Sequence, residues 1–172
     1  MQGRNSANYK LFRLFIVEVT SDRLEDSIMY SLLCKIIRAA LMISYGIRRD
    51  ASLCISINSL KTSLLCQGNL IRGLHVDEPS CAGFLKKFFA RSVGMGFKLV
   101  DSCLNYAHSL DLHELNLESL LFNSIDGLRE ATKIYKNGIY IRFVSDGYGN
   151  TRIGLKIWNL LSIVNITLDS VQ

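Results

Sequence analysis

The residues best suited to chemistry lie in two charged turns. The first, residues 46–50, reads Gly-Ile-Arg-Arg-Asp and joins an apolar, helix-like run to a strand-like run. Connections between buried elements often carry binding and catalytic groups, because a rigid scaffold presents them at the surface. The second turn, residues 72–80, contains His75, Asp77 and Glu78 and opens another helix. Together the two turns predict that the functional residues lie along one edge of the fold.

Each charged side chain in these turns also has a structural explanation. Asp50 can pair with an arginine or cap a turn, since charged turn residues are usually solvated. Asp77 precedes an apolar helical run, which is the position of a helix N-cap, and acidic residues suit the positive end of the helix dipole. His75 has no metal partner in the sequence and is best explained as a turn residue. From the residues alone, the structural role is favoured for both aspartates.

The composition predicts one globular domain over residues 1–172. That length is typical of a single domain with a genuine core. Apolar residues make up 49% and charged residues 20%, which argues against disorder. The formal charge of +5 and the pI of about 9.0 suit a polyanionic partner but do not establish one. Lys35, Arg38 and Arg48 interrupt the longest apolar runs before they reach the roughly 20 residues of a membrane span, so we expect a soluble protein.

The five cysteines predict neither a metal site nor a disulfide framework. Their number is odd, and they form no CxxC pair and no Cys/His spacing typical of zinc sites. Cys34, Cys54 and Cys103 lie within apolar runs, where a thiol most often behaves as a small buried hydrophobe. With no cleavable signal peptide at the start of the sequence, we expect a reducing cytoplasm.

Hydrophobic periodicity predicts a βαβ unit in the first third of the chain. Residues 10–19 are mostly apolar, with β-branched residues near their end, and predict a strand. From Asp26 or Ser27 onward, apolar side chains recur at helical spacing as far as Leu41, and Gly46 follows as a helix breaker. Residues 52–58 form a short, nearly continuous apolar run, typical of a strand buried on both faces of a parallel sheet. Strand, helix and strand in this order form a βαβ unit, so the fold class is α/β.

The hydrophobic pattern of the rest of the chain, from residue 64 onward, is less regular. Residues 64–74 predict a hairpin or short strand, Asp77 opens a helix, and residues 97–107 predict another helix or helix-like connection. Residues 109–130 are best explained as a peripheral helical or irregular segment. Residues 138–144 predict a clear strand, followed by the turn-rich loop 146–150. Residues 153–168 close the chain as an apolar helix or strand.

Four segments carry a family resemblance. Residues 32–50, 70–80, 84–87 and 137–142, in this order and spacing, resemble the archaeal tRNA pseudouridine N1-methyltransferases. These belong to the SPOUT class of knotted methyltransferases. The similarity covers roughly residues 14–144, and its specificity comes from the order of the motifs.

The resemblance implies a fold, a reaction and partners. The fold would be a mostly parallel sheet with helices on both faces, in a homodimer. The activity would be methyl transfer from S-adenosylmethionine to N1 of a pseudouridine at position 54, in the T-arm of tRNA. That nitrogen bears a proton, so the transfer needs a group that removes the proton and holds the base in line with the methyl.

The resemblance also assigns roles to residues. Asp50 would orient or deprotonate the pseudouridine, and Arg48 and Arg49 would hold flanking phosphates or the base edge in fork geometry. Arg142 would contact RNA, with an ordinary position at a sheet edge as an equal alternative. Asp77 and Glu78 match the second motif and would support that turn or meet the arginines across it.

Two departures from the family pattern shape the expectation. The register that usually reads Gly-Arg-hydrophobic-Asp is Ile28-Met29-Tyr30-Ser31 here, and residues 143–172 match none of the loops that form the knot and bind the donor. We therefore expect an incomplete or diverged knot and cannot assign residues to the donor. The alternatives to an active enzyme are an inactive, RNA-binding remnant of the family and a dimerising relic. Glycines 147 and 149 are better explained by turn formation than by a donor loop.

Overall fold

The fold is a six-stranded sheet with helices on both faces. This computed structural model describes residues 11–21, 26–44, 46–58, 61–75, 77–91, 94–135 and 137–171. In chain order the elements are β1 (Arg13–Thr20), α1 (Asp26–Leu41), β2 (Met42–Ile43), β3 (Gly46–Ile47), β4 (Ala51–Ile57), β5 (Ser63–Gln67), α2 (Glu78–Arg91), β6 (Phe97–Val100), α3 (Cys103–Ser109), β7 (His113–Glu114), α4 (Leu117–Phe122), α5 (Ile125–Lys133), β8 (Ile139–Asp146) and α6 (Ile157–Val171). The sheet has the strand order β6-β5-β4-β1-β8-β7, and β2 and β3 form a separate two-stranded ribbon.

The central strand β1 confirms the predicted α/β class. It pairs in parallel with β4 on one side and with β8 on the other. All of its side chains except Glu18 and Thr20 are buried, as expected of a strand covered on both faces. The helix α1 connects β1 to β4, so the predicted βαβ unit is confirmed. The strands β5 and β6 extend the sheet in antiparallel fashion.

Helices pack against each face of the sheet. The larger core lies between one face and α1, α2 and α6, where the rings of Phe15 and Phe143 meet edge to face at 6.0 Å. On the other face α3 covers a smaller cluster that includes Leu14, Ile16 and Tyr140. Burying both faces explains why β1 and β4 read as nearly continuous apolar runs.

A disulfide joins α3 to the centre of the sheet. Cys54 of β4 is bonded to Cys103 at the start of α3, whereas Cys34, Cys66 and Cys81 are free and buried. The prediction that Cys54 and Cys103 behave as buried thiols is therefore wrong. A sequence spacing of 49 residues carries no signal for this pairing, because it arises only when α3 folds back onto β4. The reducing cytoplasm, expected from the lack of a signal peptide in the sequence, stays a prediction.

The prediction of one helical segment over residues 97–107 is also wrong. Residues Phe97–Val100 form β6, and α3 begins only at Cys103. Gly96 takes a positive φ of +85° in the turn that leads β6 alongside β5. The Ser102 hydroxyl then accepts a hydrogen bond from the backbone of Asn105 and caps α3. The sheet pairing overrides a helical pattern that is too short to decide the conformation.

Other predicted elements agree with the structure. The chain from Ser63 to Gln67 forms a short strand, residues 109–130 hold short peripheral elements, and the closing segment is the helix α6. The predicted start of the first strand at Lys10 lies outside the described residues. None of the helices in the described ranges is long and apolar enough to cross a membrane.

Candidate functional site

The Gly-Ile-Arg-Arg-Asp turn lies at the amino edge of the parallel strands. Asp50 directly precedes β4, and its carbonyl accepts a hydrogen bond from the backbone N–H of Arg13, the first residue of β1. In open α/β sheets, ligands usually bind at the opposite edge, beyond the carboxyl ends of the strands. The position of this turn in the sheet therefore favours a structural role.

Buried ion pairs hold this edge together. The fully buried Arg13 guanidinium donates to the Asp50 carboxylate at 3.0 Å, to the Asp169 carboxylate at 2.9 Å and to the Asn165 side-chain oxygen at 3.0 Å. Arg48, also buried, forms a salt bridge with Asp169 at 2.8 Å. We call these five residues the amino-edge network. It fixes α6 to the first residues of β1 and β4.

The geometry of Asp50 favours the structural alternative over the base implied by the family resemblance. Its side chain is only 8% exposed and faces a buried arginine. Reaching a nucleobase would also require the base to enter beside α6.

Arg49 also stabilises the Gly-Ile-Arg-Arg-Asp turn through hydrogen bonds to backbone groups. Its guanidinium donates to the carbonyl oxygens of Gly68 at 2.8 Å and Ile71 at 3.0 Å. Gly68 packs so closely that a Cβ there would lie 2.1 Å from the Arg48 carbonyl oxygen. Arg48 and Arg49 thus bind protein groups in this structure, where the resemblance implies phosphates or a base edge.

Asp169 carries the clearest electrostatic signature of the network. Burial raises the pKa of its carboxyl, but hydrogen bonds from Arg48 and Arg13 and their positive charges outweigh burial, and the pKa lies below its ordinary value. The carboxylate is therefore ionised over the physiological pH range.

The sequence patterns overlooked three members of this network, although each leaves a signal. Arg13 is a charged residue in the middle of the apolar run LFRLFIV. Asn165 and Asp169 are polar residues four apart on a mostly apolar helix, which places them on one face. A buried charge needs a partner, so a charged residue within one apolar segment predicts that polar residues of another apolar segment lie next to it.

The acidic end of the second charged turn lies away from this edge. The Asp77 carboxylate accepts a hydrogen bond from the backbone of Ser80 at 2.8 Å. Hydrogen bonds from the Ser80 side chain and from its backbone lower the pKa of Asp77. Glu78 accepts a hydrogen bond from Ser31, on the second turn of α1. Arg48, in contrast, donates its N–H to the carbonyl of Leu41, at the far end of α1. Ten residues of helix, about 15 Å, therefore separate Glu78 from Arg48. At its start, however, the second turn meets the first, because Arg72 and Arg49 donate to the same Ile71 carbonyl.

Arg142 lies apart from both turns. Its guanidinium donates to Glu18 at 2.8 Å across the β1–β8 pair, and this contact raises its pKa. The short strand β7 pairs with β8 only at Ile139 and Tyr140. Arg142 therefore stands on an exposed part of the sheet, as the alternative interpretation expects.

A different cluster lies at the carboxyl edge, where β8 ends in a tight loop. The Asp146 carboxylate accepts hydrogen bonds from the backbone of Tyr148 and Asn150 at 2.8 Å and from the Asn150 side chain at 2.7 Å. Burial raises the pKa of Asp146, but these hydrogen bonds and the charge of Lys156 bring it below its ordinary value. Gly149, with φ +77°, allows the loop to close over Trp158. The loop leaves Tyr148 67% exposed.

Beside this loop is an open cleft with an aromatic wall and cationic rims. It measures about 310 Å³, and its lining includes Ser31 and Lys35 of α1, Tyr148 of the loop and Trp158 of α6. The Lys35 ammonium lies 5.0 Å from the centre of the Trp158 ring, and that of Lys156 lies 5.6 Å from it. We call this group the aromatic cleft. Arg38 lines its continuation along α1.

The aromatic cleft suits a flat, aromatic ligand that carries negative charge. Aromatic faces stack bases, and lysines near them attract phosphates. Neither Lys35 nor Arg38 forms a salt bridge with a carboxylate of the described residues. The Lys35 ammonium instead lies over the Trp158 ring, and both residues line the clefts, where they can meet a ligand.

No family model matches the chain. Among the described residues, no group of three or more histidine, cysteine, aspartate or glutamate side chains is placed to hold a metal ion. The aromatic cleft is accordingly the site that geometry supports best.

Proposed function

We propose that this chain binds RNA, and that the aromatic cleft is where an unpaired base and its phosphate are held. One observation carries the proposal: Trp158 lines an open cleft with the ammonium groups of Lys35 and Lys156 near its ring. Stacking on an aromatic ring combined with a cationic rim is the usual chemistry of single-stranded nucleic-acid sites. The positive charge of the whole chain supports a polyanionic partner.

Transfer RNA is the RNA that we favour. The motifs of residues 32–50, 70–80 and 137–142 resemble those of tRNA pseudouridine N1-methyltransferases. The T-arm closes in a loop, and loops offer unstacked bases that proteins recognise by stacking. A SPOUT-like fold with a knot, a homodimer and a cytoplasmic location belong to the same proposal.

Methyl transfer is the second candidate function. The aromatic cleft lies beyond the carboxyl end of β8, the region of an open α/β sheet where cofactors usually bind. The adenine of S-adenosylmethionine is a base that the Trp158 ring could stack, and its carboxylate would be attracted by Lys35. In this candidate Asp50 would support the fold of the amino edge, because it is paired with Arg13.

The test is a comparison of two substitutions at Trp158. A T-arm hairpin RNA with a fluorescent label is titrated with the wild-type protein, Trp158→Phe and Trp158→Leu. We expect Phe to keep most of the affinity, and Leu to weaken binding by about 1–3 kcal/mol, or about five- to 150-fold in Kd, because the stacking face is lost. Tyr135→Leu is the matched control, since this half-buried aromatic stacks on His113 at the other edge of the sheet.

Separate measurements distinguish the two candidates. Calorimetric titration with S-adenosylmethionine, and mass analysis of T-arm RNA incubated with it, test methyl transfer. Donor binding with a gain of one methyl group would establish the enzyme, whereas RNA binding without either would leave the RNA-binding function alone. If the hairpin RNA does not bind, or binds Trp158→Leu as tightly as wild type, the RNA proposal fails.

A further inference from the structure

The aromatic cleft continues across α1 into a second cleft of similar build. The second cleft, about 410 Å³, lies between α1 and α2, and its lining includes Tyr30, Glu78 and Lys86. Ser27 and Ser31 line both clefts. The described residues that the two clefts share therefore have small hydroxyl side chains.

The second cleft repeats the pairing of a ring with a lysine. The Lys86 ammonium lies 5.6 Å from the centre of the Tyr30 ring, compared with 5.0 Å for Lys35 and Trp158. Lys86 also lines a further cleft on α2, together with Lys87 and Arg91. A path across the helices thus offers two aromatic rings and cations from both α1 and α2.

Among the described residues that line the second cleft, one acidic residue opposes this charge. Glu78 lines it and accepts a hydrogen bond from the Ser31 hydroxyl. A phosphate would avoid this carboxylate and lie toward Lys86, whereas a ribose hydroxyl or a base amino group could donate to it. The site therefore suits RNA better than a peptide of acidic residues alone, which has neither rings to stack nor hydroxyls along its backbone.

We propose that the two clefts form one track for single-stranded RNA, which crosses α1 above Ser27 and Ser31 and places one base on Trp158 and another on Tyr30. This inference rests on the proposed RNA-binding function and adds to it the strandedness and the length of the ligand. Phosphates of the crossing segment would contact Lys35 and Lys86, one on each flank of the helix. A duplex, whose bases are stacked on one another, offers no free faces to these rings.

The test uses oligouridylates of about two to about twelve nucleotides, a range that includes the shortest known single-strand sites. Binding is measured for the wild-type protein, Tyr30→Leu, Lys86→Gln and Trp158→Leu. We expect wild-type affinity to rise with length until both rings are occupied. Tyr30→Leu should then weaken long oligonucleotides about fivefold or more and leave the shortest unchanged, whereas Trp158→Leu should weaken all lengths.

The matched control is Lys98→Gln. Lys98 also lies over an aromatic ring, 5.4 Å from the centre of Tyr106, but outside the two clefts. This substitution should leave the affinity for every length unchanged. A thermal melt of each variant establishes that the protein is folded before its affinity is compared.

Different results overturn the inference and the proposed function. If no RNA binds in any form, the proposed function fails. If binding depends on Trp158 but not on length, Tyr30 or Lys86, only the track is wrong. A duplex of equal length that binds as tightly as the single strand, or polyglutamate that competes equally at the same charge, would also overturn the track.

Discussion

At the scale of single residues, Asp169 stabilises the amino edge through the two buried arginines that it binds. Asp169→Asn would leave Arg48 without a carboxylate and remove one of the two carboxylates that bind Arg13. We expect a loss of about 1–3 kcal/mol in the free energy of unfolding, because buried cations would keep weaker partners. Asp126→Asn is the control, since it breaks only an exposed pair and should cost less than about 0.5 kcal/mol.

The pH dependence of the free energy of unfolding should also reveal the contact between Asp169 and the two arginines. The folded pKa of Asp169 lies below its unfolded value, so the stabilisation is present above the unfolded pKa, about 3.9, and is lost as pH falls through the folded pKa. Urea unfolding between pH 7 and pH 3 should therefore bring wild type and Asp169→Asn closer together in acid. A difference that stays constant over this range would contradict the role given to the carboxylate.

The sequence could predict some of these roles and not others. The N-cap at Asp77 follows from its position before an apolar run, because capping is a local effect. Arg13 is 37 residues away from Asp50 in sequence, and Asp169, which binds both Arg13 and Arg48, lies on the last helix. Long-range ion pairs depend on how the elements pack, which residue type and spacing do not encode.

At the scale of elements, the loop between β8 and α6 shapes the aromatic cleft. Gly149 has φ +77°, and a Cβ there would lie 2.5 Å from the Trp158 ring. We expect Gly149→Ala to cost about 3 kcal/mol, from the strained backbone and the displaced ring together, and to weaken RNA binding. Gly154→Ala shares the positive φ but has open space, so it should cost only about 1 kcal/mol and spare binding. Equal effects in a denaturation experiment would contradict this account of the loop.

The disulfide fixes a second element, α3, to the sheet. Cys103→Ser would release the tether to Cys54 across 49 residues of sequence. We expect the free energy of unfolding to fall by about 2–4 kcal/mol, because the unfolded chain gains freedom. The same change in the wild type on adding a reductant, with no change in Cys103→Ser, would identify the bond as the cause. A wild type indifferent to reductant would contradict it.

Element-scale prediction succeeded where periodicity is long and failed where it is short. The sixteen residues of α1 repeat apolar side chains at helical spacing, and the βαβ unit follows from them. Strand β6 has only four residues, of which Lys98 and Leu99 are exposed, so its own pattern could not separate it from the helix that follows. Pairing with β5 decides its conformation.

At the scale of the whole molecule, charge and the arrangement of clefts point to the same class of partner. The formal charge is +5, and the two clefts beside α1 carry lysines near aromatic rings. Charge alone could be read from the sequence. The aromatic cleft could not, because Lys35, Tyr148 and Trp158 come together only when α6 packs against α1.

The lone tryptophan of the chain makes the central claim directly measurable. Trp158 is the only one of the 172 residues whose indole emission can change, so its fluorescence reports on the aromatic cleft alone. We predict that T-arm hairpin RNA quenches this emission in a saturable way, with the same Kd as an anisotropy titration and with weaker binding at higher salt. RNA that binds by anisotropy while the emission of Trp158 stays unchanged would contradict the account.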